Sequence, residues 1–304
     1  AEGPQESAPP PAEAWEFAEG DEIVPGRLAV RRLGSGERYE TYLAWDERLF
    51  ALIVMKIIRP HLVEDDHSLD GLANEVRLLE RLRHPVLLRA FDAVLEPPPP
   101  HVVLEHLEGP RLSTLIRRQR TLEPEQLLPL GLQLCSALHF LAAEGVVHLD
   151  VKPSNIIMGA PARLIDLSIA RPVSELANVR HRIGTDAYMA PEQADPLGRA
   201  PITPAADVWG MGATLYHAAA GQPPFRPSAH LGHREERFPQ LAANPGPLPP
   251  RVAPDVAALI LACLDPHPAR RPRPADAAAE LEHLVDALPK RPRLGRFRVR
   301  SPYS

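Results

Sequence analysis

The stretch His148-Leu149-Asp150-Val151-Lys152-Pro153-Ser154-Asn155 decides how this chain is read. It follows a long apolar, helix-patterned segment that opens at Pro124 and stops at Gly145. It precedes a short β-rich run, 156–158, and eleven residues beyond Asn155 a second such run, 163–165, ends at Asp166. In chemical terms this is a carboxylate, a lysine and an amide on one tight loop, with a second carboxylate on a neighbouring strand. A positioned carboxylate takes or orients a hydroxyl proton. An amide oxygen and a carboxylate are hard ligands suited to Mg²⁺. A lysine beside them neutralises a phosphoryl group.

Working outward toward the N-terminus, the pattern becomes that of strands. The segments 27–33, 41–45 and 51–58 are rich in β-formers, with a turn expected at Gly34-Ser35-Gly36. Residues 68–83 read as a helix, because Leu72, Val76, Leu79 and Leu82 recur at helical spacing. Two more short strands flank the proline turn 97–100. Toward the C-terminus, helical patterns recur at 204–220, 254–264 and 274–287, each after a proline or a capping residue. The expected fold is α+β and bilobal: a small β-rich lobe over 23–105, a hinge over 105–109 and a larger helical lobe over 110–288. A cleft between two lobes is a usual place for a ligand.

Composition excludes several classes. Cys135 and Cys263 are the only cysteines, which leaves no disulfide framework and no zinc knuckle. The longest uninterrupted apolar run, 256–264, is nine residues, short of the ~20 that span a bilayer. Position 1 is not Met, so a processed or excised chain is expected. The net charge of −5 divides unevenly: residues 1–22 carry seven acids and no basic residue, the tail 290–300 carries six basic residues, and the remaining body carries −5 + 7 − 6 = −4. That body is not a basic nucleic-acid-binding surface. The head 1–22, acidic and proline-rich, reads as disordered. The tail 289–304 reads as a solvated end, with a membrane-surface or partner contact through 290–300 as the sharper expectation. His230 and His233 resemble a metal pair, but no third ligand stands near them, and catalytic zinc sites use three.

The motifs resemble those of the protein kinases. His148, Asp150, Lys152, Pro153 and Asn155 match the family's catalytic loop, a coincidence expected by chance on the order of once in ten thousand such chains. The run 184–192 looks like the end of a kinase activation segment. The run 207–212 resembles the start of the central helix of the large lobe, and Arg271 stands where the family pairs an arginine with Glu192. The resemblance covers about residues 25–288 and is strongest to bacterial Hanks-type serine/threonine kinases. The arginine-heavy, GC-rich coding of the chain suits an actinobacterial member.

What the resemblance implies follows residue by residue. Lys56 would hold the nucleotide phosphates and Glu75 would pair with it. Leu33, Gly34, Gly36, Thr41, Val54 and Ile157 would wall the ATP site, with Leu104 as gatekeeper and the Glu105 carbonyl and Leu107 amide facing adenine. Asp150 would orient the substrate hydroxyl, Lys152 would stabilise the moving phosphoryl group, and Thr185 would bond to both. Asn155 and Asp166 would bind Mg²⁺. The partner implied is a protein with a serine or threonine hydroxyl. The location implied is cytoplasmic, either free or as the cytoplasmic part of a longer membrane-anchored chain. Only three of the 34 basic residues are lysine, and two of them, Lys56 and Lys152, fall where a kinase needs a compact ammonium.

Five departures matter. Tyr39 replaces the third glycine of the glycine-rich loop, and its ring is free either to lie outward or to fold over the site. Thr41 replaces a valine over adenine, and Val54 replaces an alanine. Leu149 replaces the arginine that reads activation-loop phosphate, which makes the expected activation independent of such phosphorylation. Asp166-Leu167-Ser168 replaces Asp-Phe-Gly. Because three of these changes touch the nucleotide pocket, the competing expectation is a pseudokinase, a binding or scaffold module with little or no ATP binding.

Overall fold

The computed structural model describes residues 14–96, 99–226 and 234–288. Its small lobe is a six-stranded antiparallel sheet: β1 (Glu22–Val24), β2 (Arg27–Ser35), β3 (Tyr39–Asp46), β4 (Ala51–Ile58), β5 (Ala90–Val94) and β6 (His101–Glu105). The spatial order is β1-β2-β3-β4-β6-β5. Helix α1 (Asp66–Arg81) lies between β4 and β5 in the chain. Strand β2 runs on through the expected turn, since Gly34 pairs with Thr41 and Ser35 with Glu40, so the turn narrows to 36–38. Helix α1 starts earlier than its apolar spacing suggests because Asp65 caps it, accepting the Ser68 N–H at 2.8 Å.

The apolar character of β4 follows from cover on both faces. Successive side chains of a strand point to opposite sides. Ile53, Met55 and Ile57 therefore join a small outer core with Ile23, Ala29, Tyr42, Ala44 and Val103, while Val54, Lys56 and Ile58 turn toward the helical lobe. Trp15 and Phe17 close the outer core. Within the head 1–22, Trp15 and Phe17 are half-buried against the sheet and residues 18–22 are exposed, while 1–13 lie outside the described residues. Trp15 stacks on Phe17 and donates its indole N–H to the Ile58 carbonyl at 2.8 Å.

The large lobe contains α2 (Leu112–Gln119), α3 (Pro124–Ala143), α4 (Val173–Leu176), α5 (Pro191–Ala194), α6 (Ala205–Ala220), α7 (Arg234–Arg237), α8 (Pro254–Cys263) and α9 (Pro274–Asp286). Two small two-stranded sheets complete it: β7 (Val146–Val147) with β10 (Arg171–Pro172), and the hairpin of β8 (Ile156–Ile157) with β9 (Arg163–Leu164). Helix α3 is long and apolar enough, by length and composition, to cross a membrane. Its residues Leu127, Leu134, Leu138 and Leu141 are instead buried in the lobe's core. Helix α6 is buried along most of its length, and its glycines admit close neighbours. A Cβ on Gly210 would stand 3.0 Å from Val151, and one on Gly212 only 2.6 Å from Cys263. The helix thereby reaches the loop 148–155 directly. His230, His233 and the tail 289–304 lie outside the described residues.

Candidate active site

Period-two alternation on β4 aims Lys56 into the cleft, and helical spacing puts Glu75 on the apolar face of α1 with Leu72, Val76 and Leu79. The two meet: Lys56 Nζ donates to both Glu75 oxygens at 2.9 and 2.7 Å, and to Asp166 Oδ1 at 3.0 Å. Both Lys56 and Glu75 are buried. Burial works against the Lys56 ammonium, but Asp166 and Glu75 outweigh it and hold its pKa above the ordinary lysine value. Burial would likewise raise Asp166, yet the adjacent ammonium holds that carboxyl well below the usual range. Both groups are therefore charged at neutral pH.

The loop 148–155 is fastened from below. Asp207, in the first turn of α6, accepts the backbone N–H groups of His148 at 2.7 Å and Leu149 at 2.8 Å. Leu149 is buried and left-handed at φ 68°, a conformation that costs an L-residue roughly 1–2 kcal/mol. These anchors offset that cost and present Asp150 to the cleft. Around Asp150 the structure assembles the rest of the set. Thr185 donates to Asp150 Oδ1 at 2.7 Å, and Lys152 Nζ donates to Thr185 Oγ1 at 2.6 Å. Lys152 Nζ also lies 2.6 Å from Asp150 Oδ2. Asn155 donates its amide to the Asp150 carbonyl and to Oδ2, both at 3.0 Å, which turns its own carbonyl oxygen away.

Between the lobes lies a cleft of about 510 Å³, lined in part by Leu33, Thr41, Val54, Lys56, Glu105, Leu107, Ile157, Asn155 and Asp166. Of the residues expected at the nucleotide, Gly34 and Gly36 belong instead to the adjoining end of β2 and its turn, where Gly36 N–H donates to the Tyr39 carbonyl at 2.9 Å. Val54 and Thr41 narrow the cleft without filling it. Tyr39 folds inward, with the Lys56 ammonium 4.6 Å from its ring centroid. At the far side of the segment 166–192, Arg271 binds Glu192 through two bonds of 2.6 and 2.9 Å and stacks over Trp209.

Sequence reasoning passed over one site neighbour. Gln193 is buried, donates from Nε2 to the carbonyls of Leu149 (2.8 Å) and Ile183 (2.9 Å), and accepts the Ala190 N–H at 3.0 Å. It ties the loop 148–155 to the segment carrying Thr185. It carries no signal of its own in the sequence, standing in the mixed run Glu192-Gln193-Ala194-Asp195.

A sheet lobe and a helical lobe, with a lysine–carboxylate set on each side of the cleft between them, define a two-lobed nucleotide-type scaffold. The protein kinase domain family matches residues 28–283, and the chain belongs to that family. It is 32% identical over 274 residues to the probable serine/threonine-protein kinase PkwA of Thermomonospora curvata, across 87% of this chain and 36% of that protein. It is 28% identical over 253 residues to the serine/threonine-protein kinase PknB of Mycobacterium leprae, across 79% of this chain and 39% of that protein. A probable serine/threonine-protein kinase of Streptomyces coelicolor, SCO3848, is 26% identical over 268 residues. The chain thus spans less than two-fifths of the length of these relatives.

Proposed function

We propose that this chain is an ATP- and Mg²⁺-dependent serine/threonine protein kinase domain whose activity does not depend on phosphorylation of its activation segment. The observation that carries this reading is the cluster of Asp150, Lys152 and Asn155 on the loop 148–155 with Thr185 of the segment 166–192, facing Lys56 and Asp166. Asp150, held by Thr185 and Asn155, orients and accepts the proton of the substrate hydroxyl. Lys152 lies beside it to neutralise the group in transit. Lys56, fixed by Glu75, holds the phosphates of the nucleotide. Positioning and charge neutralisation of this kind supply most of the rate in phosphoryl transfer.

The donor set fits a magnesium ion. Asn155 spends its amide hydrogens on Asp150 and leaves its oxygen available, and Lys56 and Ser168 approach only Oδ1 of Asp166. Two hard oxygens at adjacent ends of the β8–β9 hairpin, where the Ile165 N–H donates to the Asn155 backbone carbonyl at 2.9 Å, suit a cation that takes its remaining ligands from phosphate and water. Bound there, the ion would neutralise phosphate charge.

Independence from phosphorylation rests on Leu149, which is apolar and buried where a phosphate-reading arginine would stand, and on the side-chain fastening by Gln193. The competing module reading has no support: every charged group that transfer needs is present and juxtaposed. The substrate class is a protein bearing a serine or threonine hydroxyl, and the setting is cytoplasmic. The basic run 290–300 is proposed to contact an anionic membrane surface, tested by loss of vesicle binding on deleting 289–304.

The test of the catalytic reading is transfer from radiolabelled ATP to a peptide substrate, with Asp150→Asn as control. The expected result is incorporation by the parent chain, with no phosphate on 168–188 by mass spectrometry, and its collapse in the variant. Equal incorporation by both proteins would overturn it.

A further inference from the structure

Tyr39 stands where the family places a glycine, and Gly71 stands in the middle of α1, where a glycine weakens a helix. The two departures meet. The Tyr39 hydroxyl lies 3.5 Å from the Ser68 carbonyl in the first turns of α1. A Cβ on Gly71 would sit 3.3 Å from the same hydroxyl, tighter than ordinary contact. Period-two alternation puts Tyr39 on the same face of β3 as Thr41, which lines the cleft. All three donors of the Lys56 ammonium go to Glu75 and Asp166, and the Tyr39 ring covers a flank that they leave. The neighbouring residue adds a second tie, Arg38 NH2 to His67 Nε2 of α1 at 3.0 Å. The base of the turn is held in turn by Arg59, whose Nε donates to the Gly36 carbonyl at 2.7 Å.

We propose that Tyr39 is a positioning residue that latches the glycine-rich turn onto α1 through the space left by Gly71, and so keeps Glu75 on Lys56 without a phosphate on the activation segment. Helix α1 cannot swing away from the sheet without withdrawing Ser68 from the hydroxyl and exposing the ring. The turn cannot lift without uncovering Lys56. A glycine at position 39 would give neither restraint. Gly71 leaves the room that the tyrosine hydroxyl occupies.

The inference deepens the kinase reading and rests on it for its kinetic arm, whereas its structural arm does not. The full chain is compared with Tyr39→Ala, with Gly71→Ala, and with Gly71→Ala combined with Tyr39→Phe. Amide hydrogen exchange over 66–81 is expected to speed up about tenfold in Tyr39→Ala, with α3 and α6 unchanged, as for a local opening. The kcat is expected to fall about tenfold with the KM for peptide nearly constant, well within what misplacing a reacting group costs. Gly71→Ala, which on propensity alone favours the helix, is expected to lower kcat about threefold. Adding Tyr39→Phe relieves that clash but gives up the tie to Ser68, so kcat is expected to recover in part. Unchanged exchange over 66–81 in Tyr39→Ala, or no rescue by Tyr39→Phe, overturns the latch. A parent chain that transfers no phosphate overturns the kinase reading instead, and the exchange measurement then decides the latch alone.

Discussion

At the residue scale, Lys56 is the group on which most depends. It is buried, and its two carboxylate partners sit on different elements. Removing one member of a buried pair leaves the other as an uncompensated charge, typically a loss of 3–5 kcal/mol, whereas replacing both with apolar groups of similar volume is often neutral. Lys56→Met is therefore expected to destabilise the chain by about 3 kcal/mol in urea unfolding, and Lys56→Met with Glu75→Met to recover most of it. If the double variant is no more stable than the single, Glu75 is not held by that charge. The same cluster sets a pH dependence. Asp166 has a depressed pKa, so its contribution is complete above the unfolded carboxyl value near 4 and is lost as pH falls through its lower folded value. Lys56 has a raised pKa, so its contribution is complete below the unfolded lysine value near 10.4 and is lost as pH climbs through its higher folded value. Between about pH 5 and 10 Asp166 and Lys56 add no slope to the unfolding free energy, whereas Glu75, whose carboxyl burial pushes up, costs stability as pH rises from the unfolded carboxyl value toward its higher folded one. Asp166→Asn is expected to flatten the acid limb below about pH 4, read from urea unfolding at stepped pH.

At the scale of elements, the junction of loop 148–155, segment 166–192 and helix α5 carries the next expectation. Gln193→Leu leaves two carbonyls and an N–H buried without partners, each costing about 1–3 kcal/mol. Gln193→Glu is the sharper probe, because it keeps the shape and the acceptor for Ala190 N–H but faces the Leu149 and Ile183 carbonyls with a carboxylate. Protonation would return one donor, and burial raises the pKa of such a carboxyl. The kcat of Gln193→Glu relative to the parent is thus expected to rise from pH 8 to pH 6; a ratio that stays level across that range would remove Gln193 from the positioning set. Elements such as these also show what the sequence discloses. Strand β4, helices α3, α6, α8 and α9, and the residues around Asp150 were legible, because period, proline caps and motif order are local properties of the chain. The cover over the outer face of β4 by Trp15 and Phe17 was not, since an acidic, proline-rich composition masked two aromatics whose partners lie 25 or more residues away. Neither was the direction of Tyr39, because whether an aromatic at a turn faces in or out depends on the facing helix, here on the absent side chain of Gly71.

At the scale of the molecule, the two lobes meet through few polar links. Lys56 reaches Asp166, Arg163 pairs with Glu105, and Leu164 exchanges backbone bonds with Val86 and Leu88 at 2.7 and 3.1 Å. The cleft is bounded by residues from both lobes, so a nucleotide seated there touches both and binds only the assembled native state. A ligand of that kind stabilises by RT ln(1 + [L]/Kd), about 2.7 kcal/mol at a hundredfold excess over Kd. For a chain of 304 residues that corresponds to a midpoint shift of roughly 4 °C. ATP with Mg²⁺ is expected to raise the thermal midpoint of the parent chain by that order at millimolar nucleotide. Because Asp166 and Asn155 approach the cleft from separate segments, the increment that magnesium adds to nucleotide alone is expected to disappear in Asp166→Asn, while the part due to the base slot around Leu104 and Leu107 persists. A midpoint that stays fixed for the parent at millimolar ATP and Mg²⁺ would mean that Val54 and Thr41 close the slot to adenine. A magnesium increment retained in Asp166→Asn would instead place the ion on other oxygens.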